Sequence, residues 1–264
     1  IIDGIDANVV DQITAAGCVL NKVEGMNINY LGFNNDVITD PEVRKALSQA
    51  VNVPELVESL YRGYATEATT ILPSFMPGYS DGITRPSYDP EAAQATLQEK
   101  GVTQIHMLAY TNPRPYNTAT GQTLAEAIQG YWAKVGVECT IDSYDWTTYK
   151  DKVNAGGYDV CLYGWNGDNG GPDNFMYLLA HEDPGMNVAH YNDEEYKQML
   201  AEAAALPNGD ERNAAYAAME QKLADECVWL PISHQESLSA YVSNVNNFIY
   251  HPTGNVFLSK TYKN

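Results

Sequence analysis

Strands and helices alternate along most of the chain, and that order predicts an α/β fold. Two further observations support it. The first strand segment alternates Ile28, Tyr30 and Gly32 with polar and bulky neighbours, as in a sheet with both faces at least partly covered. Several helical segments open on an Asp or Asn cap and stop at Gly or Pro.

The elements follow in order. Asn27 to Asn34 (NINYLGFN) sets Ile28, Tyr30 and Gly32 against polar and bulky neighbours and reads as a strand. Asp40 is a natural N-cap with Pro41 at the first helical position and Glu42 at the positive end of the dipole; Val43, Ala46, Leu47 and Ala50 share a face. Asn52 caps a second helix, with Glu55 three residues on, Leu56, Leu60 and Tyr61 inward, and Gly63 as the stop. Ile71 to Pro90 reads as a long loop. Asp89-Pro90-Glu91 then repeats the start signal, and Glu99-Lys100-Gly101 ends that helix. Ile105 to Tyr110 predicts a strand, and Leu124, Ala127, Ile128, Tyr131, Trp132 and Val135 recur at helical spacing up to Gly136. The strand Val137 to Ile141, a helix from Trp146 to Asn154, the Gly156-Gly157 break and the strand Tyr158 to Trp165 continue the alternation. Helices are expected at Asp193 to Leu206 and Asp210 to Asp225, then two strands at Trp229 to Ser233 and Ser239 to Val242. The last thirty residues carry too few apolar positions to fold alone and must pack on something else.

Composition bounds the function. Hydrophobic residues at 44% and aromatics at 11% supply a packed core, which excludes general disorder. A formal charge of −19 repels a phosphate backbone, so nucleic acid is not an expected partner. No stretch approaches the roughly 20 apolar residues of a membrane-spanning helix. The chain opens at Ile1-Ile2-Asp3 with neither Met nor a leader, and reads as a piece of something longer. Cys18, Cys139, Cys161 and Cys227 form no CxxC pair and no zinc spacing; they fit buried thiols and disulfide bridges equally.

No catalytic or cofactor motif is present. GxSxG, HExxH, GxxxxGK and GxGxxG are all missing, and the five histidines include no i, i+4 pair that would suit a metal. No metal and no cofactor is therefore expected, and no enzyme.

Two loops carry the chemistry that remains. Gly164 to Phe175 (GWNGDNGGPDNF) leaves an apolar strand and packs Asp, Asn and Gly together; glycines let a ligand approach the backbone, and Asp168 is the candidate charge. The same residues also suit plain turn formation. Gly170 and Pro172 break the alternation that a calcium loop needs after Asp168. Thr111 to Asn117 (TNPRPYN) follows the other strand and holds Arg114 between two prolines, where a stiffened guanidinium suits a carboxylate; a solvated surface arginine is the plainer alternative. Trp165, Trp132 and Tyr110 could instead stack on a neutral sugar, with core packing the competing role for Trp132, and Asp168 with Asp173 could form a hydrolytic pair.

With these motifs the chain resembles the family 5 solute-binding proteins of ABC importers, most closely the dipeptide-binding branch. The resemblance rests on YLGFN (Tyr30 to Asn34), DPEVRKALSQAV (Asp40 to Val51), YDPEAAQATL, PRPYN, YWAKVGVE, GWNGDNGGPDNF and WLPISH (Trp229 to His234), and covers nearly the whole chain. It implies an α/β lobe of the periplasmic-binding type (type II, class C), a mixed sheet flanked by helices, forming the C-terminal half of a two-lobed receptor. Residues 1–24 would then end the first lobe and carry the hinge, 25–234 form the second, ligand-binding lobe, and 235–264 return to the first. The resemblance further implies that Arg114 meets a ligand carboxylate, that Asp168 meets its α-ammonium, and that main-chain groups of Gly164 to Asn166 pair with the peptide bond. Tyr116, Trp165, Gly167 and Asn169 join these as implied contacts. The implied partners are a short peptide, a membrane permease and the missing N-terminal lobe, and the implied location is extracytoplasmic, periplasmic or lipid-anchored at the cell surface. Relatives in the family that take oligosaccharides or other non-peptide solutes give the alternative ligand. Asn166 and Gly171 depart from the family loop, which often has a hydroxyl residue and an acid there, and no Cys lies between Cys161 and Cys227.

Overall fold

The computed structural model describes residues 1–264. In chain order its strands and helices are β1 (Ile2–Asp3), α1 (Val10–Ala15), β2 (Cys18–Glu24), β3 (Asn27–Phe33), α2 (Pro41–Gln49), α3 (Val53–Tyr61), β4 (Ala65–Glu67), α4 (Pro90–Glu99), β5 (Gln104–Tyr110), α5 (Gly121–Lys134), β6 (Glu138–Tyr144), α6 (Trp146–Ala155), β7 (Val160–Asn166), α7 (Asp173–Met176), α8 (Glu194–Ala205), α9 (Asp210–Glu226) and β8 (Trp229–Val242). Two small ribbons close the chain, pairing 249–250 with 256–257 and 245–246 with 262–263.

The helices begin where the caps predict. Asp40, Asn52, Asp89 and Asp193 each accept a main-chain N–H of the first turn through the side chain, satisfying donors that a helix start leaves free. Asn52 and Glu55 form the expected reciprocal pair, and Arg62 and Gly63 turn left-handed to stop α3.

The sheet runs β8-β3-β7-β5-β6. β5 is parallel to both β6 and β7, while β3 is antiparallel to β7 and β8, so the α/β expectation holds with a mixed sheet. Every residue of β3 is buried, as a strand covered on both faces requires. Trp132 is fully buried and donates its indole N–H to the Leu47 carbonyl at 3.0 Å, tying α5 to α2.

Three readings of the sequence need correction. The two strands expected near the end are one continuous strand, β8, because Glu236 and Gln235 sit in an unbroken ladder with β2 and β4. β6 runs on to Tyr144, paired residue for residue with β5, past the mixed polarity of Asp142 and Ser143 that hid it. The first 24 residues also hold a helix and two strands that the sequence reading left unassigned.

Two apolar clusters result. The larger joins 59 buried residues around the main sheet; the smaller holds Ile5, Val10, Leu238 and Ala240 where β1 and β2 flank the far half of β8. A four-residue cluster cannot stabilise a domain by itself. Ile2, Val19, Val242, Ile249 and Phe257 remain exposed on this smaller body.

The bodies meet at a tight crossing. Asn27 Nδ2 donates to the Gln235 carbonyl at 2.9 Å, and Gln235 N donates to Asn27 Oδ1 at 2.7 Å. His234 Nδ1 donates to the Asn27 carbonyl. A Cβ on Gly25 would lie 2.2 Å from the Gln235 carbonyl oxygen, so only glycine fits there. All four cysteines are unpaired, with Cys139, Cys161 and Cys227 buried.

Candidate ligand site

The parallel strands β5 and β7 end on the same side of the sheet, and the two loops singled out in the sequence leave from those ends. Asn27 begins the antiparallel β3 at the same edge. Between this edge and the smaller body lies a polar cleft of about 500 Å³, walled by Arg114, Asn27 and Asn166 on one side and by Asp6, Glu236 and Thr253 on the other.

Arg114 is held at both ends. Its main chain exchanges two hydrogen bonds with Asn117, each 2.9 Å, closing a tight turn around Pro115-Tyr116. Its guanidinium carbon lies 3.9 Å from the centre of the Trp146 ring. Among the five arginines, Arg62, Arg85 and Arg212 pair with carboxylates and Arg44 donates to main-chain carbonyls. The Arg114 guanidinium forms no ion pair within the chain; its Nε is buried without a partner, and the buried phenol of Tyr116 is its polar neighbour. A charge left unpaired beside a cleft is costly unless a ligand completes it.

Behind the turn runs a buried polar chain. Asn29 Nδ2 donates to Tyr61 Oη (3.2 Å), Tyr61 Oη donates to Asn117 Oδ1 (2.9 Å) and Asn117 Nδ2 donates to Tyr110 Oη (3.0 Å). Burial pushes the Tyr61 and Tyr110 phenols upward, so both remain neutral donors and acceptors.

The other loop is fixed from within. Asn174 Oδ1 accepts the Trp165 indole N–H (2.9 Å) and the Asp168 amide (3.0 Å), while Asn169 Oδ1 accepts the Gly171 amide (2.8 Å). Asp168 is exposed and forms no salt bridge. Along β7, Gly167 N donates to Met26 on the β3 side, whereas the Leu162 carbonyl turns the other way and accepts from Tyr149 Oη. By the strand alternation, Gly164 and Asn166 turn their main-chain groups the same way as Leu162, and pairing with β5 has already ended at Cys161.

The residues expected at the site therefore divide. Arg114 and Asn166 line the cleft. Asp168 and Asn169 stand on the exposed loop beyond it; Gly164, Gly167 and Tyr116 are buried, and Trp165 is half-buried. A Cβ on Gly164 would lie 2.2 Å from the Tyr116 ring, so these two residues pack on each other. Trp132 and Tyr110 are fully buried, which removes them as stacking faces for a sugar. Reading the sequence missed Trp146, Asn117 and Asn174 as supports. Asn117 and Asn174 lie inside the motifs already quoted; Trp146, at the start of α6, gave only a helical signal.

An α/β body whose strand ends open on a polar cleft, walled by a second and smaller body, has the architecture of a solute receptor of the periplasmic-binding type. The family of bacterial extracellular solute-binding proteins, family 5 middle, matches residues 2–187, and the chain belongs to that family. It is 31% identical over 243 residues to the dipeptide-binding protein of Escherichia coli K12, covering 89% of this chain and 45% of that one. Heme-binding protein A of Haemophilus influenzae is also 31% identical, over 247 residues, covering 89% and 44%. The chain thus spans about half the length of the curated relatives it matches. Among solved structures, HbpA2 from Haemophilus parasuis superposes with a TM-score of 0.87 at 26% identity, covering 98% of this chain and 52% of that one. The dipeptide binding protein from Pseudoalteromonas sp. SM9913 in complex with Met-Leu gives a TM-score of 0.87 at 23% identity, covering 98% and 53%. The relatives that the chain matches are solute-binding proteins of transport systems and not enzymes.

Proposed function

We propose that this chain forms the ligand-binding half of an extracytoplasmic receptor that captures dipeptides or short peptides by their charged ends and delivers them to an ABC permease. In this reading Arg114 takes the ligand carboxylate, Asp168 takes the α-ammonium, and main-chain groups of Gly164 to Asn166 pair with the peptide bond. Opposite charges at a fixed separation measure the length of a zwitterion and leave its side chains unread. Residues 25–234 form the ligand lobe; 1–24 and 235–264 belong to the opposing lobe, completed by polypeptide outside this chain. The receptor works in the periplasm or as a cell-surface lipoprotein.

The observation that carries this reading is the unpaired, ring-stacked guanidinium of Arg114 at the cleft wall. A non-peptide solute is the competing reading, favoured by the equal identity to a heme-binding relative. Calorimetry on the full-length protein separates them. Arg114→Ala and Asp168→Asn abolish binding of a dipeptide with free termini, whereas a neutral solute ignores both changes. Undiminished dipeptide binding by either variant removes the proposal.

A further inference from the structure

Resting on the assignment of Arg114 to a ligand carboxylate, we infer that Trp146 and Asn117 are its positioning residues, and that Trp146 sets the preference for a free carboxylate over a neutral terminus. The two supports act on different parts of one residue. The main chain of Asn117, a fully buried residue, shares the paired 2.9 Å bonds with that of Arg114, and its carboxamide anchors this turn to Tyr61 and Tyr110. Trp146 covers one face of the guanidinium. With a face occupied, the N–H donors point outward in the guanidinium plane, the direction from which a carboxylate makes two parallel bonds. Stacking also removes side-chain freedom before the ligand arrives, so less is lost on binding.

Trp146 is itself immobilised. It is the first residue of α6, whose cap Asp145 accepts from Thr147 N (3.0 Å) and Thr148 N (3.3 Å). Its ring packs against Tyr110 (5.6 Å, 83°), Tyr149 (5.7 Å, 25°) and Tyr163 (5.5 Å, 40°). Tyr110 is also where the chain from Asn29 through Tyr61 and Asn117 ends. Main chain and side chain of Arg114 are therefore both referenced to the last residue of β5. The sequence signal for this is a Trp at a helix start, which by itself indicates only packing.

The test measures affinities of the full-length protein for L-alanyl-L-leucine and for its C-terminal amide by calorimetry. Trp146→Leu weakens the free dipeptide by about tenfold and leaves the amide within about twofold, so the selectivity ratio collapses. Trp146→Phe restores most of that ratio, and Asn117→Ser lowers it in the same direction. Should Trp146→Leu not fold, Trp146→Met and Asn117→Ser carry the same ratio test. Equal weakening of both ligands, which a merely structural role produces, overturns the inference, as does an unchanged ratio. An Arg114→Ala variant that binds the dipeptide like the parent removes the Arg114 assignment and this inference together. Loss of binding in Arg114→Ala with the ratio intact in Trp146→Leu overturns the inference alone.

Discussion

One carboxyl oxygen of Glu220 accepts the Leu72 amide at 3.1 Å, and the other is buried without a partner. Burial pushes this carboxyl up to about 8, against the opposing pull of that amide. An unfolded glutamate ionises near 4.5, so between there and about 8 the folded chain holds a proton that the unfolded chain has released, and stability falls as pH rises through that window. His234 acts in reverse. Burial brings its ring down to about 4 from an ordinary 6.5, so its contribution is present above 6.5 and is lost as pH falls toward 4. From 6.5 to 8 Glu220 is therefore the one of the two that acts. Melting temperature should drop across that interval and should level off in Glu220→Gln; an equal slope in the variant contradicts the assignment.

Arg44 predicts a large cost for a conservative change. Its buried guanidinium donates to the carbonyls of Ile38 (2.8 Å), Thr39 (3.1 Å), Glu226 (2.7 Å) and Cys227 (3.1 Å), joining the start of α2 to the end of α9. A lysine keeps the charge but cannot reach both ends of that fork, leaving buried carbonyls unpaired. Arg44→Lys should lower unfolding free energy by about 2–4 kcal/mol in urea titration; a loss under about 0.5 kcal/mol, ordinary for a surface site, would show that the fork is dispensable.

Gly164→Ala should destabilise by about 1–3 kcal/mol, since the added methyl meets the Tyr116 ring at 2.2 Å and the Ile28 carbonyl at 2.5 Å. The second obstacle is main chain. Truncating Tyr116 to Ala in the same protein should therefore fail to restore stability, and a full rescue would show that the ring alone sets the limit.

Arg114→Lys separates charge from shape. The ammonium keeps the positive charge but loses the planar fork and its fit to the Trp146 face, so dipeptide affinity of the full-length protein should fall by about tenfold, between parent and Arg114→Ala. Affinity equal to the parent would mean that only net charge is read at this position.

Much of the fold was legible because its signals are local. Asp40-Pro41, Asn52 with Glu55 and Asp89-Pro90 state helix starts within a few residues, and the structure places α2, α3 and α4 on them. β8 was broken in two because its neighbours change midway: Trp229 to Ser233 lies against β3, the far half lies against β2, and polar Gln235 and Glu236 bridge the change. Pairing with a partner hundreds of positions distant leaves no local trace. At the candidate site, Arg114 was conspicuous from its flanking prolines, but the ring beneath it comes from a different helix. Asn117 is in sequence only the last residue of the PRPYN motif, and only the fold brings Tyr61 and Tyr110 to its carboxamide.

Both chain connections between the larger and smaller bodies pass through one clasp, where Asn27 and Gln235 are hydrogen-bonded side by side and Gly25 leaves room for the Gln235 carbonyl. A side chain in place of Gly25 would meet both connections at once, the carboxamide of Asn27 at the start of β3 and the carbonyl of Gln235 in β8, so one added methyl group would disturb the Arg114 wall and the Glu236 wall of the cleft together.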